Sequence, residues 1–400
     1  MVKLDGIFDS FSASTLFLNK SVLQTNYLPE IIPHRDSQIE QIASILAPAL
    51  RGEKPSNLFV YGQTGTGKTL SVQYVRDELM KRARNGDKKL RIEYLNCKLR
   101  KVADTEYRIL AELIKKLGGE VPSTGLPTDQ VYNRFIELVE KEDQVLILIL
   151  DEIDQAVKKL SDNFLYNLTR LNSELTRTQI GLVGISNDLN FLDILDPRVK
   201  SSLSEEEIIF APYNAPQLRE ILSKRAELAF KKDALAEGII EKCAAYAARE
   251  HGDARRALDL LRISGELAER DGKDKVTEIH VDQANDKMDK DKILDTIQAA
   301  PKQFQLVLYS IINLTESKTL DNIFTGDVYN LYQQLCSKTR TEILTQRRVG
   351  DLIAEADMLG LINARTVSKG RHGRMREIVL SIPAQILEKS KNSLRESLGL

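Results

Sequence analysis

The most specific chemical signal in the sequence is a glycine-rich segment, Gly62-Gln-Thr-Gly-Thr-Gly-Lys-Thr69. It matches the P-loop pattern, in which glycines let backbone N–H groups close around phosphate oxygens. Lys68 would reach the β- and γ-phosphates, and the hydroxyl of Thr69 would bind Mg²⁺. The residues expected to hold the nucleotide here are Gly62, Thr64, Gly65, Thr66, Gly67, Lys68, Thr69 and Leu70. The segment therefore predicts a nucleotide site with a magnesium ion.

Two polar groups follow later apolar runs. Asp151 and Glu152 come directly after the run Val145–Leu150, so a central strand would deliver both carboxylates to the edge of a sheet where ligands bind. Asp151 would hold Mg²⁺, and Glu152 would orient or deprotonate the attacking water. Asn187 ends the next strand and could position that water. Alternatively, the two acids begin a solvated helix and Asn187 caps one.

Strand and helix patterns alternate around these residues. Strands are predicted over 57–61, 89–96, 145–150 and 179–186, with helices over 36–50, 68–80, 105–117, 131–141 and 161–173. This alternation predicts an α/β fold, a parallel sheet with flanking helices. After Pro212 only helical patterns follow, over 215–230, 234–249, 253–270 and 277–290. The Lys- and Asp-rich stretch 286–292 is typical either of a hinge or of a solvated helix.

The last hundred residues have a different pattern. Three helices are predicted over 304–312, 325–336 and 345–360, followed by strand-like runs over 361–367 and 377–382 with a Gly- and Arg-rich turn between them. This order predicts a winged helix whose third helix and hairpin bind duplex DNA. The residues expected to contact DNA are Gln346, Arg347, Arg348, Arg365, Lys369, Arg371, Arg374 and Arg376. The alternative is a basic wing that stays hydrated or binds protein.

Composition limits the class of protein. The chain has 400 residues, with 57 lysines and arginines against 58 aspartates and glutamates, so any nucleic-acid surface must be local. Three widely spaced cysteines, at 97, 243 and 336, suit neither a disulfide framework nor a zinc site and favour a reducing cytosol. No secretory signal is visible, and the longest apolar run is far short of the ~20 residues that span a bilayer.

The P-loop (Walker A), Asp151-Glu152 (Walker B) and Asn187 (a polar sensor) together resemble the AAA+ ATPases. Three further segments narrow the resemblance: 195–203 is similar to the arginine-finger segment, 210–225 to the beginning of the lid, and 252–261 to the second sensor. Together with residues 27–35, they are most similar to the archaeal replication initiators, which are related to the eukaryotic origin-recognition and helicase-loading subunits. The resemblance covers nearly the whole chain.

The resemblance implies ATP or ADP as the nucleotide, with Arg255 reaching the phosphates from the lid and Tyr213 and Arg225 helping to enclose it. Arg198 would act on the ATP of a neighbouring subunit. The alternatives are that Arg225 is an ordinary solvated arginine, that Arg256 takes the place of Arg255, and that Tyr213 is core packing.

The implied domains are a nucleotide-binding base with an N-terminal arm (1–210), a helical lid (211–295) and a winged helix (296–400). The implied function is ATP-dependent initiation at duplex origin DNA, with slow, switch-like hydrolysis. The partners would be the replicative helicase and other initiator subunits or paralogues, in a cytoplasmic, nucleoid-associated protein without membrane contact. Alternatives are an ATP-binding transcriptional regulator and a clamp-loader-type or transposition-type ATPase. The segment 98–127 resembles an initiator-specific insertion that touches DNA.

Overall fold

The computed structural model describes residues 16–25, 27–83, 89–98, 105–122, 125–160, 163–191, 195–203, 205–317, 322–368 and 374–400. The chain divides into two compact units, Met1–Val281 and Asp282–Leu400. Each has its own apolar core. The predicted N-terminal arm is described only from residue 16.

The first unit is built on a parallel sheet. Its strands are β1 (Asn57–Gly62), β2 (Lys89–Asn96), β3 (Gln144–Asp151), β4 (Thr178–Ser186) and β5 (Glu205–Phe210). They lie in the order β2-β3-β4-β1-β5, and every neighbouring pair is parallel. The predicted parallel sheet is confirmed. Strand β5 was missed by the sequence patterns, because its three consecutive glutamates look like a solvated segment.

Helices cover both faces of this sheet. They are α1 (Asp36–Leu46), α2 (Lys68–Ala83), α3 (Glu106–Lys116), α4 (Thr128–Val139), α5 (Ile153–Leu160), α6 (Asn163–Arg170) and α7 (Pro197–Leu203). Strand β3 has no polar residue between Gln144 and Asp151, because its side chains alternate between two cores. Helices α1 and α2 pack on one face and α3 to α7 on the other. The helix predicted over 161–173 corresponds to α6 and the 3-10 turn Leu171–Ser173 that follows it, whereas α5 was not expected from the sequence.

Three lid helices follow: α8 (Ala215–Ala229), α9 (Ile239–Arg249) and α10 (Ala254–Arg270). Helix α11 (Glu278–Ala299) begins in the first unit and runs into the second, whose core includes Ile297. Helix α11 runs through the stretch 286–292, which is therefore helical, with Asp286, Asp291 and Lys292 exposed. The described part of the arm packs against this helical region: the ring of Phe17 lies 4.6 Å from that of Phe230, and the N–H of Leu18 donates to Ala229.

The second unit contains helices α12 (Lys302–Ser317), α13 (Thr325–Lys338), α14 (Gln346–Met358) and α15 (Ala384–Leu398), and strands β6 (Ile323–Phe324), β7 (Ile362–Ser368) and β8 (Arg374–Leu380). The strands form an antiparallel sheet in the order β6-β8-β7. The predicted winged helix is confirmed, whereas β6 and α15 were not expected from the sequence.

Candidate nucleotide site and DNA-binding surface

The P-loop joins β1 to α2 and requires glycine at two positions. Gly65 and Gly67 adopt left-handed φ angles of 74° and 91°. A Cβ on Gly65 would lie 1.7 Å from Oδ1 of Asp253, and one on Gly67 would lie 2.9 Å from the hydroxyl of Tyr213. The loop is closed by the hydroxyl of Thr66, which donates to the carbonyl of Gln63 at 2.8 Å. The left-handed backbone at Gly65 and Gly67 therefore favours glycine, and it leads directly into the N–H groups at the start of α2.

Lys68 is the first residue of α2, and its side chain is buried. Its ammonium donates to the carbonyl oxygens of Gly62 and Gln63 at 2.7 and 2.8 Å, and to Oδ1 of Asn187 at 2.9 Å. Burial lowers the pKa of Lys68 to about 8, an effect that Asp151 opposes and Arg255 reinforces. The structure therefore brings the predicted sensor Asn187 to the P-loop lysine, where it accepts a hydrogen bond and does not act as a helix cap.

The predicted magnesium ligands meet directly. The hydroxyl of Thr69 donates to Oδ2 of Asp151 at 2.9 Å. The phenol of Tyr94, on the neighbouring strand β2, donates to the same oxygen at 2.7 Å. Burial and then the Asp151 carboxylate raise the pKa of Tyr94, so the phenol remains a donor. Hydroxyl and carboxylate oxygens are ligands that Mg²⁺ prefers, so this donor set fits the ion.

Glu152 adopts a backbone conformation that is rare for a residue with a side chain. Its φ angle is 54°, at the point where β3 turns into α5. Its backbone N–H donates to Oδ1 of Asp151 at 2.9 Å, and its carboxylate lies 3.4 Å from Nζ of Lys98. The two acids therefore do not simply start a solvated helix: Asp151 is buried at the end of β3, and Glu152 is held beside it.

Asp154 was not singled out in the sequence. Its carboxylate is buried, and Oδ1 accepts from the hydroxyl of Ser186 at 3.3 Å and from the N–H of Asn187 at 3.4 Å. It thereby ties α5 to the end of β4, where the sensor lies. The only signal in the sequence is an acid two residues after Glu152, which also fits the first turn of a helix.

The lid reaches the P-loop through the start of α10. The N–H of Ala254 donates to the carbonyl of Gly65 at 3.2 Å. Asp253 caps α10, with its Oδ1 accepting from the N–H of Arg255 at 2.7 Å. Arg255 is close enough to Lys68 to lower its pKa, whereas Arg256 forms an ion pair with Glu250 at 2.7 Å. Of the two arginines, Arg255 is the one whose charge acts on the P-loop.

The remaining predicted residues of this site lie in different places. Tyr213 is buried with its hydroxyl against Gly67, so it packs and also borders the P-loop. Arg225 is buried: it donates to the carbonyl of Val22 at 3.0 Å and lies 4.4 Å from the ring of Tyr27, so it is not a solvated arginine. These contacts join the lid to the arm and the segment before α1.

Arg198, on α7, is largely exposed and lies 3.1 Å from Oδ1 of Asp196. It is therefore not buried in this chain's own nucleotide site.

A cavity of about 410 Å³ opens beside Leu70, lined also by Leu28, Ile32 and Tyr74. Thr64, at the outer side of the loop, is exposed.

The predicted DNA-binding residues of the second unit are not all on one face. Gln346, Arg347 and Arg348 are exposed in the first turn of α14, which Thr345 caps. The guanidinium of Arg376, on β8, donates to the carbonyl of Gly350 at 3.1 Å and so lies beside that helix.

The side chain of Arg365, on β7, lies on the face of the hairpin opposite to that of Arg376. Arg365 is paired in register with Glu377, and side chains alternate along a strand, so both face away from the side that holds Arg376. Lys369 and Arg371 lie outside the described residues, and of Arg374 only the backbone, the first residue of β8, is described. Among the predicted residues whose side chains the structure describes, it brings together the start of α14 and Arg376.

No helix in the described ranges is long and apolar enough to cross a membrane.

Comparison with known proteins gives concordant results. The AAA domain model matches residues 51–192, the Cdc6 AAA+ ATPase-type lid domain matches 219–286, and the CDC6 C-terminal winged helix domain matches 295–390. The chain is 50% identical over 384 residues to the ORC1-type DNA replication protein 1 of Methanosarcina acetivorans, an alignment that covers 96% of this chain and 92% of that protein.

The ORC1-type DNA replication protein of Pyrococcus furiosus is 50% identical over 399 residues, covering 98% of this chain and 93% of the relative. Among solved structures, the Aeropyrum pernix Orc1 protein in complex with DNA has a TM-score of 0.82 and 42% identity, covering 96% of this chain and 97% of that one.

Proposed function

The chain belongs to the family of ORC1-type DNA replication proteins, AAA+ ATPases with a Cdc6-type lid and winged helix, and we propose that it initiates replication by binding duplex DNA at origins under the control of ATP. The observation that carries the proposal is the convergence of Lys68, Thr69, Asp151 and Asn187 within hydrogen-bond distance in a chain that also holds a basic winged helix.

Each residue of the nucleotide site has a role in this proposal. Lys68 and the P-loop N–H groups would bind the phosphates of ATP, and Thr69 and Asp151 would hold Mg²⁺, an ion that would supply positive charge beside the phosphoryl group. Glu152 orients and deprotonates the attacking water, and Asn187 keeps that water and Lys68 in place. Arg255 adds positive charge from the lid. Tyr213 and Arg225 support the enclosure from the lid side.

Lys68→Ala tests the nucleotide part of the proposal. Loss of the ammonium removes the group nearest the phosphates, so ADP and ATP affinity should fall sharply. Lys54→Ala, just before β1, is a matched control that removes a lysine outside the P-loop. Equal nucleotide affinity in the wild type and Lys68→Ala would refute the P-loop assignment.

We propose that Arg198 acts in trans. It is exposed on α7, so in an assembly on DNA it is available to the ATP of a neighbouring subunit. Arg198→Ala should keep ATP affinity and reduce only hydrolysis that depends on subunits meeting on DNA. A parallel loss of ATP affinity would place Arg198 in its own site instead.

The DNA part of the proposal rests on the start of α14 and on Arg376. Removing one arginine that binds a phosphate should reduce the slope of log affinity against log salt by about 0.9 for duplex DNA. We expect such a change for Arg347→Ala and Arg376→Ala, and none for Lys389→Ala, which removes an exposed lysine from α15. An unchanged salt slope in both arginine variants would contradict this surface.

Origin binding, slow switch-like hydrolysis and helicase loading are the finer parts of the proposal. ATP would change the lid position through Arg255 and so change DNA affinity or helicase recruitment. Footprinting on genomic fragments, with ATP and with ADP, tests the first part. Protection at repeats beside a replication origin supports initiation, whereas protection only at promoters would indicate a transcriptional regulator.

A further inference from the structure

Arg35, the residue before α1, joins two segments that are far apart in the sequence. Its side chain is buried. Its Nε donates to the carbonyl of Thr66, in the P-loop, at 2.8 Å, and one terminal nitrogen donates to the carbonyl of Ala211 at 2.6 Å. Ala211 directly follows β5 and precedes α8, the first helix of the lid. One guanidinium therefore holds the backbone of the P-loop and the backbone of the junction to the lid.

Aromatic contacts fix the plane of this guanidinium. Its carbon lies 3.9 Å from the ring centroid of Tyr213 and 5.3 Å from that of Phe210, the two aromatic residues on either side of the junction. The hydroxyl of Tyr213 in turn borders Gly67. A planar guanidinium lying over these rings suits this position, whereas the ammonium of a lysine has no planar face to lie on a ring while it donates to two carbonyls.

The charge of Arg35 has no carboxylate partner among the described residues. A buried charge without a counter-charge is costly, so ion pairing does not explain its presence here. Its donors instead serve the loop that receives the phosphates and the segment that leads into the lid.

We propose that Arg35 is a positioning residue that couples the P-loop to the lid, so that a nucleotide on the P-loop orders the lid through Arg35. The inference rests on the proposed nucleotide binding. A phosphate that tightens the backbone around Thr66 pulls on the same guanidinium that holds Ala211 and Tyr213. Without that link, the described contacts that still connect the P-loop to the lid helices are those at the start of α10, so a filled P-loop orders the lid much less than in the wild type.

Hydrogen–deuterium exchange on the full chain tests the coupling, with and without saturating ADP and Mg²⁺. In the wild type, ADP should slow exchange in peptides of the P-loop and also of α8 and α9. Because couplings between sites are typically 5–150-fold, we expect Arg35→Ala to reduce the ADP-induced slowing in the lid by roughly tenfold while P-loop protection persists. Arg51→Ala, which removes an exposed arginine paired with Glu53, is the control and should behave as the wild type.

Arg35→Lys keeps the charge and guards against a folding failure of the alanine variant. It should melt near the wild-type temperature and still lose most of the lid response. Full lid protection in a folded Arg35 variant at saturating ADP would overturn the coupling, as would equal loss in the lid and the P-loop. If ADP protects no part of the wild type, the proposed nucleotide binding itself fails, which is a distinct result.

Discussion

Lys68 should make nucleotide affinity depend on pH in a range where an ordinary lysine would not. Burial lowers its pKa to about 8 in the free chain, from the usual 10.5. Phosphates stabilise the ammonium, so the pKa of Lys68 rises when a nucleotide binds. Above pH 8 the free chain is mostly deprotonated at this position, and binding must then take up a proton.

The magnitude follows from the protonated fraction. With a pKa of about 8, roughly nine-tenths of the chains carry a charged Lys68 at pH 7 and roughly one-tenth at pH 9. If the bound lysine stays charged at both values, nucleotide affinity falls about tenfold, or about 1.4 kcal/mol, over this range. The free energy of unfolding changes in the opposite direction. Between pH 8 and pH 10.5 the unfolded chain binds more protons at Lys68 than the folded chain does, so stability rises with pH. The cost of burying a charged Lys68 is therefore greatest below pH 8 and disappears towards pH 10.5.

Isothermal titration calorimetry with ADP and Mg²⁺ at pH 7, 8 and 9, at constant ionic strength, measures this directly. Two buffers with different ionisation enthalpies report the proton taken up at pH 9. Lys68→Arg is the matched variant, because its guanidinium stays charged over the whole range and should remove the pH dependence whatever its absolute affinity. A wild-type affinity that is constant from pH 7 to 9, without proton uptake, would refute the argument.

Three other predictions concern the base domain. Tyr94→Phe removes a donor to the Walker B carboxylate and should raise the Mg²⁺ concentration for half-maximal ATPase activity by about 10–100-fold, whereas Tyr107→Phe, whose hydroxyl bonds outside the site, should not. Gly184→Ala would place a Cβ 2.4 Å from the ring of Phe59 and should lower the free energy of unfolding by about 1–3 kcal/mol in urea titrations; a wild-type midpoint would disprove the crowding. Burial raises the pKa of Glu140, but hydrogen bonds from backbone N–H groups outweigh this and lower the pKa to about 2. In the unfolded chain the pKa of a glutamate is about 4.3. The Glu140 carboxylate therefore stabilises the fold fully above about pH 4.3, and this stabilisation is lost as the pH falls towards 2. The stability difference between the wild type and Glu140→Gln should therefore shrink between pH 5 and pH 2, and a constant difference would contradict it.

Local pattern was sufficient for the elements that carry chemistry. The unbroken apolar run before Asp151 is typical of a strand covered on both faces, and the structure has it inside the sheet, between β2 and β4. The left-handed backbone conformation of the P-loop glycines is visible only in the structure, but the spacing of these glycines in the sequence is enough to identify the loop. In both cases the signal lies within ten consecutive residues.

Elements whose identity depends on distant neighbours were missed. Strand β5 lies at the edge of the sheet, and the side chains of Glu206 and Glu207 are exposed there, so the segment lacks the apolar signature of the central strands. It is a strand because β1 offers its free edge for pairing. The arm is similar: Phe17 fits where Gly265 leaves room, a Cβ there being only 2.5 Å from its ring, and no local pattern encodes that match.

The same distinction explains which site residues could be predicted. Lys68, Thr69 and Asp151 follow from motifs, because their chemistry fixes their spacing. The roles of Tyr94 and Arg35 depend on contacts between strands or segments that are remote in sequence. Arg35 ends the segment 27–35 that supported the resemblance, but nothing in that segment indicates its partners. The ligand determines the type and the spacing of a residue that contacts the phosphates. The type of a residue that links the P-loop to the lid is determined instead by its contacts with both of these segments. The residues that decide whether nucleotide binding moves the lid should therefore be sought at such contacts and not within the motifs.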